Sequence, residues 1–311
     1  MNKRIIIGSR SSRLALWQAN FIKTELENFF PEIIFEIKEI STLGDQIQDK
    51  ALYKIGDKGL FTKEIESALL NEEIDIAVHS MKDLQTEIPE GLAISAVTER
   101  HDPRDVIISR EKGVTLDNLS KNARVATGSL RRSALLCRHR PDVQIRGLRG
   151  NVPTRIRKYL DSDWDAIILA KAGVERLEMQ NYISSVIEKD LFIPAVGQGA
   201  LGVQIRADDS RLMEISSKLN HQKTETEVKA ERSFLKTVSG GCQAPVAAHG
   251  EITPDSVLIF DAMIASTDGI RFYREKGTGS PEEAEMIGRE IAMELLGRGG
   301  KIIIDEIYGR K

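Results

Sequence analysis

Short apolar runs alternate with helical stretches along the first ~200 residues, and this alternation constrains the fold more than any other feature of the chain. Short apolar runs predict strands, and longer periodic stretches between them predict helices. The predicted strands are Arg4–Gly8, Ile33–Thr42, Ile74–His79, Leu92–Val97, Val106–Ser109, Arg124–Thr127, Val143–Arg146 and Ala166–Ala170. The predicted helices are Ser12–Phe29, Thr62–Asn71, Ser129–Arg140 and Val152–Leu160. This order indicates an α/β architecture with largely parallel sheets, in which ligands bind beside strand ends.

Two segments have the composition of connections between α/β units. Residues 99–105 are polar and contain a proline, and residues 194–200 are rich in small residues. If the chain passes between two α/β units at both segments, the protein has two α/β lobes with a cleft. With ~100–200 residues per domain, 311 residues fit two or three domains. The predicted domains are residues 1–99 with 200–219, residues 100–199, and residues 220–311.

The last ~90 residues follow a different pattern. A charged helical stretch, Thr224–Val238, is followed by three alternating runs and a final helix that stops near Gly297. Ser280-Pro281-Glu282-Glu283 has the sequence of a capping box with proline in the first turn, which places the start of that helix. The predicted strands are Val246–Ile252, Val257–Ala265 and Arg271–Lys276. This order favours a small antiparallel α+β domain.

Composition excludes several classes of protein. The net charge of −3 argues against a protein built to bind nucleic acid or an anionic membrane. No apolar run approaches the ~20 residues of a membrane span. The basic start of the chain lacks the apolar core of a signal peptide, because Gly8-Ser9-Arg10 ends the first run, so we expect a cytoplasmic protein. Two cysteines do not make a disulfide framework.

Arginine is concentrated where helices begin. Residues 121–158 contain eleven Lys or Arg and one acid, Asp142. A helix N-terminus is partially positive and normally favours Asp or Glu. Three predicted strands lead instead through small or glycine-containing turns into helices that begin with arginines: Arg10 and Arg13, Arg131 and Arg132, Arg149 and Arg155.

A ligand with several negative groups would resolve this conflict of charge. Free backbone N–H groups and arginine forks together bind phosphate or carboxylate strongly. No nucleotide-binding glycine motif follows a predicted strand, which argues against nucleotides. No Cys/His cluster indicates zinc, and no metal is predicted.

One carboxylate and one thiol are further candidates for a functional role. The predicted buried strand at 74–79 runs into Ser80-Met81-Lys82-Asp83, where α/β folds place catalytic groups. Asp83 is either half of a surface ion pair or a carboxylate that stabilises a cationic intermediate. Cys242 follows two glycines and is either an ordinary loop cysteine or a functional thiol. Cys137 lies in an apolar helical stretch and is predicted to be in the core.

These segments together resemble the porphobilinogen deaminase (hydroxymethylbilane synthase) family. Each matching stretch is short, but they occur jointly and in the order of the family along nearly the whole chain. The stretches are Arg10 and Ser12 with Leu14–Gln18, Lys58–Phe61, Ala77–Asp83, Asp102–Asp105, Ser129–Arg132, Leu148–Val152, Pro194–Gly199 and Gly240–Gln243.

The resemblance implies two α/β lobes similar to periplasmic binding proteins and a small α+β C-terminal domain. It implies a dipyrromethane cofactor, made from substrate and joined through a thioether to Cys242. Porphobilinogen would lose ammonia and join the growing chain, until four units form the linear tetrapyrrole hydroxymethylbilane.

The resemblance also implies roles for individual residues. Asp83 is the implied catalytic carboxylate, which steadies the positive pyrrole nitrogens and handles protons. The implied cofactor-binding residues are Cys242, Lys82, Ser80, Ser129, Arg131, Arg132 and Arg155. The implied substrate-binding residues are Arg10, Ser12, Lys58, Arg149, Arg176 and Gln198. The expected partner is porphobilinogen, with no nucleic acid or membrane, and the chain is expected to act as a monomer.

Some positions depart from the commonest pattern of the family. Gly128 stands where serine is usual, Pro153 where glycine is usual, and Lys171 is a less usual choice. Two other functions fit the residues by themselves. One is a binding module that closes on a polycarboxylate, which would lack a covalent group and normally carry an export signal. The other is a phosphate-handling enzyme, which the missing nucleotide motifs disfavour.

Overall fold

The computed structural model describes residues 4–46, 59, 62–238 and 244–309. The chain forms two compact units, Met1–His101 with Gly199–Glu225 and Asp102–Gln198 with Thr226–Lys311. The predicted division into three domains, with a boundary near residue 220, stays a prediction.

Strands and helices follow one another through the described residues. The strands are β1 (Arg4–Arg10), β2 (Ile34–Ile40), β3 (Ile76–Ser80), β4 (Leu92–Val97), β5 (Asp105–Ile108), β6 (Arg124–Thr127), β7 (Gln144–Gly147), β8 (Ala166–Ala170), β9 (Ile183–Ile187), β10 (Leu201–Arg206), β11 (Val246–Ile252), β12 (Leu258–Ala265) and β13 (Phe272–Gly279). The helices are α1 (Arg13–Phe29), α2 (Leu43–Gln46), α3 (Lys63–Leu70), α4 (Leu130–His139), α5 (Val152–Leu160), α6 (Lys171–Glu175), α7 (Ser210–Ser217), α8 (Gln222–Thr237), α9 (Ala284–Leu295) and α10 (Lys301–Tyr308).

The first unit contains a five-stranded sheet in the order β2-β1-β3-β10-β4. β1 pairs in parallel with β2 and β3, whereas β10 is antiparallel to both of its neighbours. Four strands therefore run in one direction and one is reversed. Helix α1 buries Ala19, Ile22 and Leu26 against this sheet, at the three-to-four-residue spacing of an amphipathic helix.

The second unit contains a sheet with the same pattern, in the order β7-β6-β8-β5-β9. β6 pairs in parallel with β7 and β8, and β5 is the reversed strand between β8 and β9. The largely parallel α/β sheets predicted from the alternation of elements are confirmed.

A three-stranded antiparallel sheet, β11-β12-β13, completes the second unit. One face of it shares a core with the five-stranded sheet, since Ala247, Met263 and Ala265 pack in the same cluster as Ile107 and Leu135. Its other residues pack with helices α8, α9 and α10 around Phe234 and Phe260. The predicted small α+β fold is confirmed.

Strand β9 was among the elements not predicted from the sequence, and the start of the helix near residue 280 was predicted wrongly. Strand β9 carries two serines that bond the loop after β5: Ser185 donates to the Val114 carbonyl, and the Ser184 hydroxyl accepts from the Val114 N–H. This tertiary use of polar side chains hides the apolar pattern of the strand. The predicted capping box is wrong, because the Ser280 hydroxyl donates to the Glu282 carboxylate and caps no backbone N–H. The residues from Pro281 form a 3-10 turn, and α9 begins only at Ala284.

Helices α8 and α9 cross at a glycine, which gives a test of the packing. A Cβ added at Gly288 would lie 2.1 Å from the Ala230 carbonyl oxygen, whereas one added at Gly297 would meet nothing within 4 Å. Gly288→Ala should lower the melting temperature by several degrees, because overpacking costs about 1–3 kcal/mol and outweighs the gain in helix propensity. The matched change Gly297→Ala should leave it nearly unchanged. Equal melting temperatures for the two variants, measured by calorimetry, would contradict the close crossing.

Candidate functional site

Three helices begin at strand ends with a capped but acid-free first turn. The side-chain oxygens of Ser12, Ser129 and Asn151 accept the backbone N–H groups of residues three positions later, at 3.3, 3.4 and 3.0 Å. No acidic residue lies in the first turn of α1, α4 or α5. The positive ends of these helices are therefore not offset within their own first turns.

Sheet topology brings the ends of several strands in the second unit to one edge. β6, β7 and β8 run in parallel, with Thr127 beside Gly147 and Ala126 beside Ile167, so their carboxyl ends share that edge. β5 is reversed, and its first residue, Asp105, pairs with Ala170 at the same edge. A carboxylate thus lies where the arginine-bearing helices begin.

Asp105 is fully buried between the two arginines that open α4. Its Oδ2 accepts from Arg131 at 2.7 Å, and its Oδ1 accepts from Nε and Nη2 of Arg132 at 3.1 and 2.8 Å. Arg131 and Arg132 are only 3% and 5% exposed, and they also donate to the carbonyls of Ile193 and Ile168. The sequence predicted that an external anion resolves the charge conflict at this helix. The structure shows that a protein carboxylate resolves part of it.

The charge states of this cluster follow from burial and pairing. Burial acts to raise the pKa of Asp105, but the charges and hydrogen bonds of Arg131 and Arg132 outweigh it and lower the pKa to about 2. Burial lowers the pKa of Arg131 more than Asp105 raises it. One ionised carboxylate faces two guanidinium groups, which leaves the cluster with a net positive charge.

Gln198 belongs to the same cluster. Its amide Nε2 donates to the Pro103 carbonyl at 2.6 Å and to Asp105 Oδ1 at 3.0 Å. Gln198 was predicted from the resemblance to bind substrate, and that role stays a prediction. Sequence reasoning missed Asp105 as a member of the site, although the Asp102–Asp105 stretch was among the residues that carried the resemblance.

The remaining candidate arginines of the second unit differ in their surroundings. Arg155 is half-buried, and its Nε donates to the Gly150 carbonyl at 2.6 Å, across the start of α5. Arg149 is half-buried and follows β7. Arg176 is buried at the end of α6, where burial lowers its pKa to about 10, so it remains charged at neutral pH.

The departures at Gly128 and Lys171 have structural counterparts. A Cβ at Gly128 would lie 2.3 Å from the Leu148 carbonyl oxygen, so the backbone after β7 approaches the backbone after β6 too closely for a side chain. The ammonium of Lys171 lies 2.7 Å from Asp102 Oδ2, which also binds Arg104. Partial burial acts to raise the pKa of Asp102, but these hydrogen bonds hold it well below its usual range.

In the first unit, β1 and β3 run in parallel and end at one edge. Arg10 is the last residue of β1 and Ser80 the last of β3, and a 3-10 turn over Met81–Asp83 follows. Met81 is buried, Lys82 is half-buried and Asp83 is exposed. The Ser80 hydroxyl accepts from Gln18 of α1 at 2.8 Å, which ties the helix to the strand end.

A buried polar network lies beneath this edge. His79 Nε2 lies 2.9 Å from Gln204 Oε1, and the Gln204 amide donates to Glu66 at 3.2 Å. Burial lowers the pKa of His79 to about 4, so the ring is neutral at neutral pH. The charge of Asp83 acts to raise this pKa and that of Arg10 acts to lower it, which places both charges within electrostatic reach of the ring.

Two predicted site residues, Lys58 and Cys242, lie outside the described residues. Cys137 is half-buried rather than in the core, and burial raises the pKa of its thiol. Within the described part of the chain, no group of three or more His, Cys, Asp or Glu side chains is arranged to hold a metal ion. None of the helices in that part is long and apolar enough to cross a membrane.

Arginines and helix N-termini gathered at strand ends are typical of an α/β protein that binds a ligand with several negative groups. Comparison with known proteins gives the family. The model described as "Porphobilinogen deaminase, dipyromethane cofactor binding domain" matches residues 5–214, and that described as "Porphobilinogen deaminase, C-terminal domain" matches residues 225–297. The chain belongs to the porphobilinogen deaminase family.

Curated relatives match the chain along nearly its whole length. The porphobilinogen deaminase of Carboxydothermus hydrogenoformans is 50% identical over 307 residues, covering 99% of this chain and 98% of the relative. That of Trichlorobacter lovleyi is 48% identical over 309 residues, with the same coverage. Among solved structures, the periplasmic VFT2 domain of Bordetella pertussis BvgS matches with a TM-score of 0.43 and 15% identity, covering 70% of this chain and 87% of that domain. A likeness this distant supports no argument about ligand or activity.

The pairing of Asp105 makes stability depend on pH. Its folded pKa of about 2 lies below the ordinary value of 3.8, so the pairing stabilises the protein fully above pH 4 and the contribution is lost as pH falls through 2. The shift corresponds to about 2 kcal/mol. Asp105→Asn should therefore be destabilised relative to wild type at pH 7, and the difference should shrink toward pH 2. A difference in the free energy of unfolding that stays constant over this range, measured by urea denaturation, would contradict the assignment.

Proposed function

We propose that this chain is a transferase that deaminates four molecules of porphobilinogen and joins them stepwise into hydroxymethylbilane, in tetrapyrrole biosynthesis. The observation that carries the proposal is the match of both family domains, in order, with relatives about half identical over 99% of the chain. We further expect the enzyme to act as a cytoplasmic monomer.

The residues of the second unit suit the carboxylate groups of a dipyrromethane. Arg131 carries a buried Nε with no hydrogen-bond partner among the described residues, beside a cluster with net positive charge. Such a donor favours an anionic ligand. The proposed cofactor-binding side chains are those of Ser129, Arg131, Arg132, Arg155, Ser80 and Lys82. When bound, that cofactor supplies the covalent primer to which substrate units are added, and Cys242 is its proposed attachment point.

The remaining residues would hold and activate substrate. Arg10, Ser12, Lys58, Arg149, Arg176 and Gln198 are the proposed contacts to porphobilinogen, whose acetate and propionate groups suit guanidinium forks. Asp83 follows the strand end as an exposed carboxylate whose charge reaches the buried His79, as does that of Arg10. We propose that it stabilises the positive pyrrole nitrogen and transfers protons at its carboxylate oxygens. His79 is buried and neutral, so it does not compete with Asp83 for that positive charge.

The covalent cofactor provides the first test. Denatured wild-type protein from a host that makes porphobilinogen should weigh more than its sequence by two deaminated porphobilinogen units, mapped to the peptide of Cys242. Cys242→Ser should carry no such mass and show no turnover, because the thioether cannot form. Cys137→Ser removes the other thiol and should keep both the added mass and the activity. Normal turnover by Cys242→Ser would remove that cysteine from the mechanism, and wild-type protein that gains no mass with porphobilinogen would favour a binding module.

The catalytic carboxylate provides the second test. Asp83→Asn should keep the KM for porphobilinogen, while kcat falls about 100-fold or more, the typical contribution of a catalytic acid or base. Asp208→Asn is the matched control, an equally conservative change at another exposed aspartate of the first unit. A fall in kcat of less than about tenfold, or ~1.4 kcal/mol of barrier, would show that Asp83 is not the principal catalytic carboxylate.

A further inference from the structure

We propose that Asp105 is a positioning residue that presents the guanidinium groups of Arg131 and Arg132 to the carboxylates of the pyrrole cofactor. This inference rests on the proposed function. It adds to that function a residue that needs no contact with the ligand and acts through the two arginines.

The hydrogen bonds divide the carboxylate between its partners. Oδ2 accepts from Arg131, whereas Oδ1 accepts from Arg132 and from the amide of Gln198. Because each guanidinium has its own oxygen, neither can rotate without breaking a charge-assisted hydrogen bond. Two long side chains that are flexible in isolation are thereby fixed before any ligand arrives, which reduces the entropy lost on binding.

The charge balance shows why this cluster serves a ligand as well as the fold. A purely structural cluster in a protein interior would be expected to pair its charges fully. Here one carboxylate at 0% exposure faces two guanidinium groups at 3% and 5%, at the positive end of a helix with no acid in its first turn. One further negative group completes the balance.

The hydrogen-bond count agrees with the charge count. Arg131 Nε is buried and has no hydrogen-bond partner in the described ranges of the chain, although Nη1 and Nη2 of the same side chain are bonded to Ile193 and Asp105. A buried donor without a partner is costly, and a ligand carboxylate would satisfy it. Asp105 thus holds the guanidinium group of Arg131 through Nη2 and leaves Nε available to a ligand.

Positioning and simple charge balance predict opposite results for one variant. Asp105→Asn removes a negative charge from beside the arginines but preserves the size of the side chain. If Asp105 only balanced charge, the more positive cluster would take up an anionic ligand faster. If Asp105 positions the arginines, uptake slows, because an amide cannot accept from both guanidinium groups with two oxygens.

The test measures loading of the cofactor separately from turnover. Cofactor-free wild type, Asp105→Asn and Asp261→Asn are produced in a host that lacks porphobilinogen and then mixed with porphobilinogen, and the added mass is followed over time. Asp261 is the matched control, a carboxylate 15% exposed that pairs with Arg274 in the three-stranded sheet. Asp105→Asn should load at least about tenfold more slowly, as expected for misplaced binding groups. Slow loading of Asp105→Asn beside near-wild-type loading of Asp261→Asn supports positioning, because a general loss of structure from a lost buried carboxylate would slow both variants.

Each outcome decides the inference. Loading of Asp105→Asn at the wild-type rate or faster would overturn it, as would equal slowing in Asp261→Asn. If Asp105→Asn does not yield folded protein, Asp105→Glu decides, because it keeps the charge and lengthens the side chain by one methylene. Slow loading of that variant supports positioning, and wild-type loading overturns it. If wild-type protein itself gains no mass, the proposed function is wrong. If wild type loads normally and only the expected slowing of Asp105→Asn is absent, the inference alone is wrong.

Discussion

Parallel strands place their carboxyl ends, and the N-termini of the helices that follow, at one edge of a sheet. In this chain that edge carries positive charge from two sources, which are helix N-termini without acids in their first turns and the arginines next to them. Negative groups close to such an edge therefore stabilise it. The two five-stranded sheets differ in the buried group that lies nearest to this edge and in the charge of that group.

The second unit uses a buried carboxylate for this purpose. The reversed strand β5 begins where its parallel neighbours end, so its first residue, Asp105, reaches the arginines of α4 and stays ionised there. The first unit buries a neutral group instead. His79 is uncharged beside Gln204, and the carboxylate near that edge, Asp83, remains exposed. The buried carboxylate of Asp105 suits a site in which its partner arginines hold anionic groups. The exposed carboxylate of Asp83 suits proton transfer.

Local patterns in the sequence predicted the α/β fold well because most strands and helices here are amphipathic or apolar over their own length. The starts of α1, α4 and α5 were predicted within a residue because the capping residues Ser12, Ser129 and Asn151 signal them locally. Asp105 could not be predicted as a partner of Arg131 and Arg132, since 26 and 27 residues separate them and only strand reversal brings them together. The same holds for Gln204, which reaches His79 across 125 residues. Pairings of this kind depend on topology, and no local pattern encodes them.

Hydrogen bonds, together with the backbone between Gly197 and Gln198, join the three-stranded sheet to the arginine cluster within the second unit. The fully buried Glu231 of α8 accepts from the Gly250 N–H of β11 at 3.0 Å and from the Gly197 N–H at 2.6 Å. The next residue, Gln198, donates to Asp105, which holds both arginines. In the sequence, Cys242 comes after α8. Helix α8, which precedes Cys242 in the sequence, is therefore linked through a few buried polar groups to Arg131 and Arg132. These are the residues proposed to bind the cofactor that Cys242 is proposed to carry. Because a buried carboxylate without its partners is costly, each group on this path fixes the position of the next.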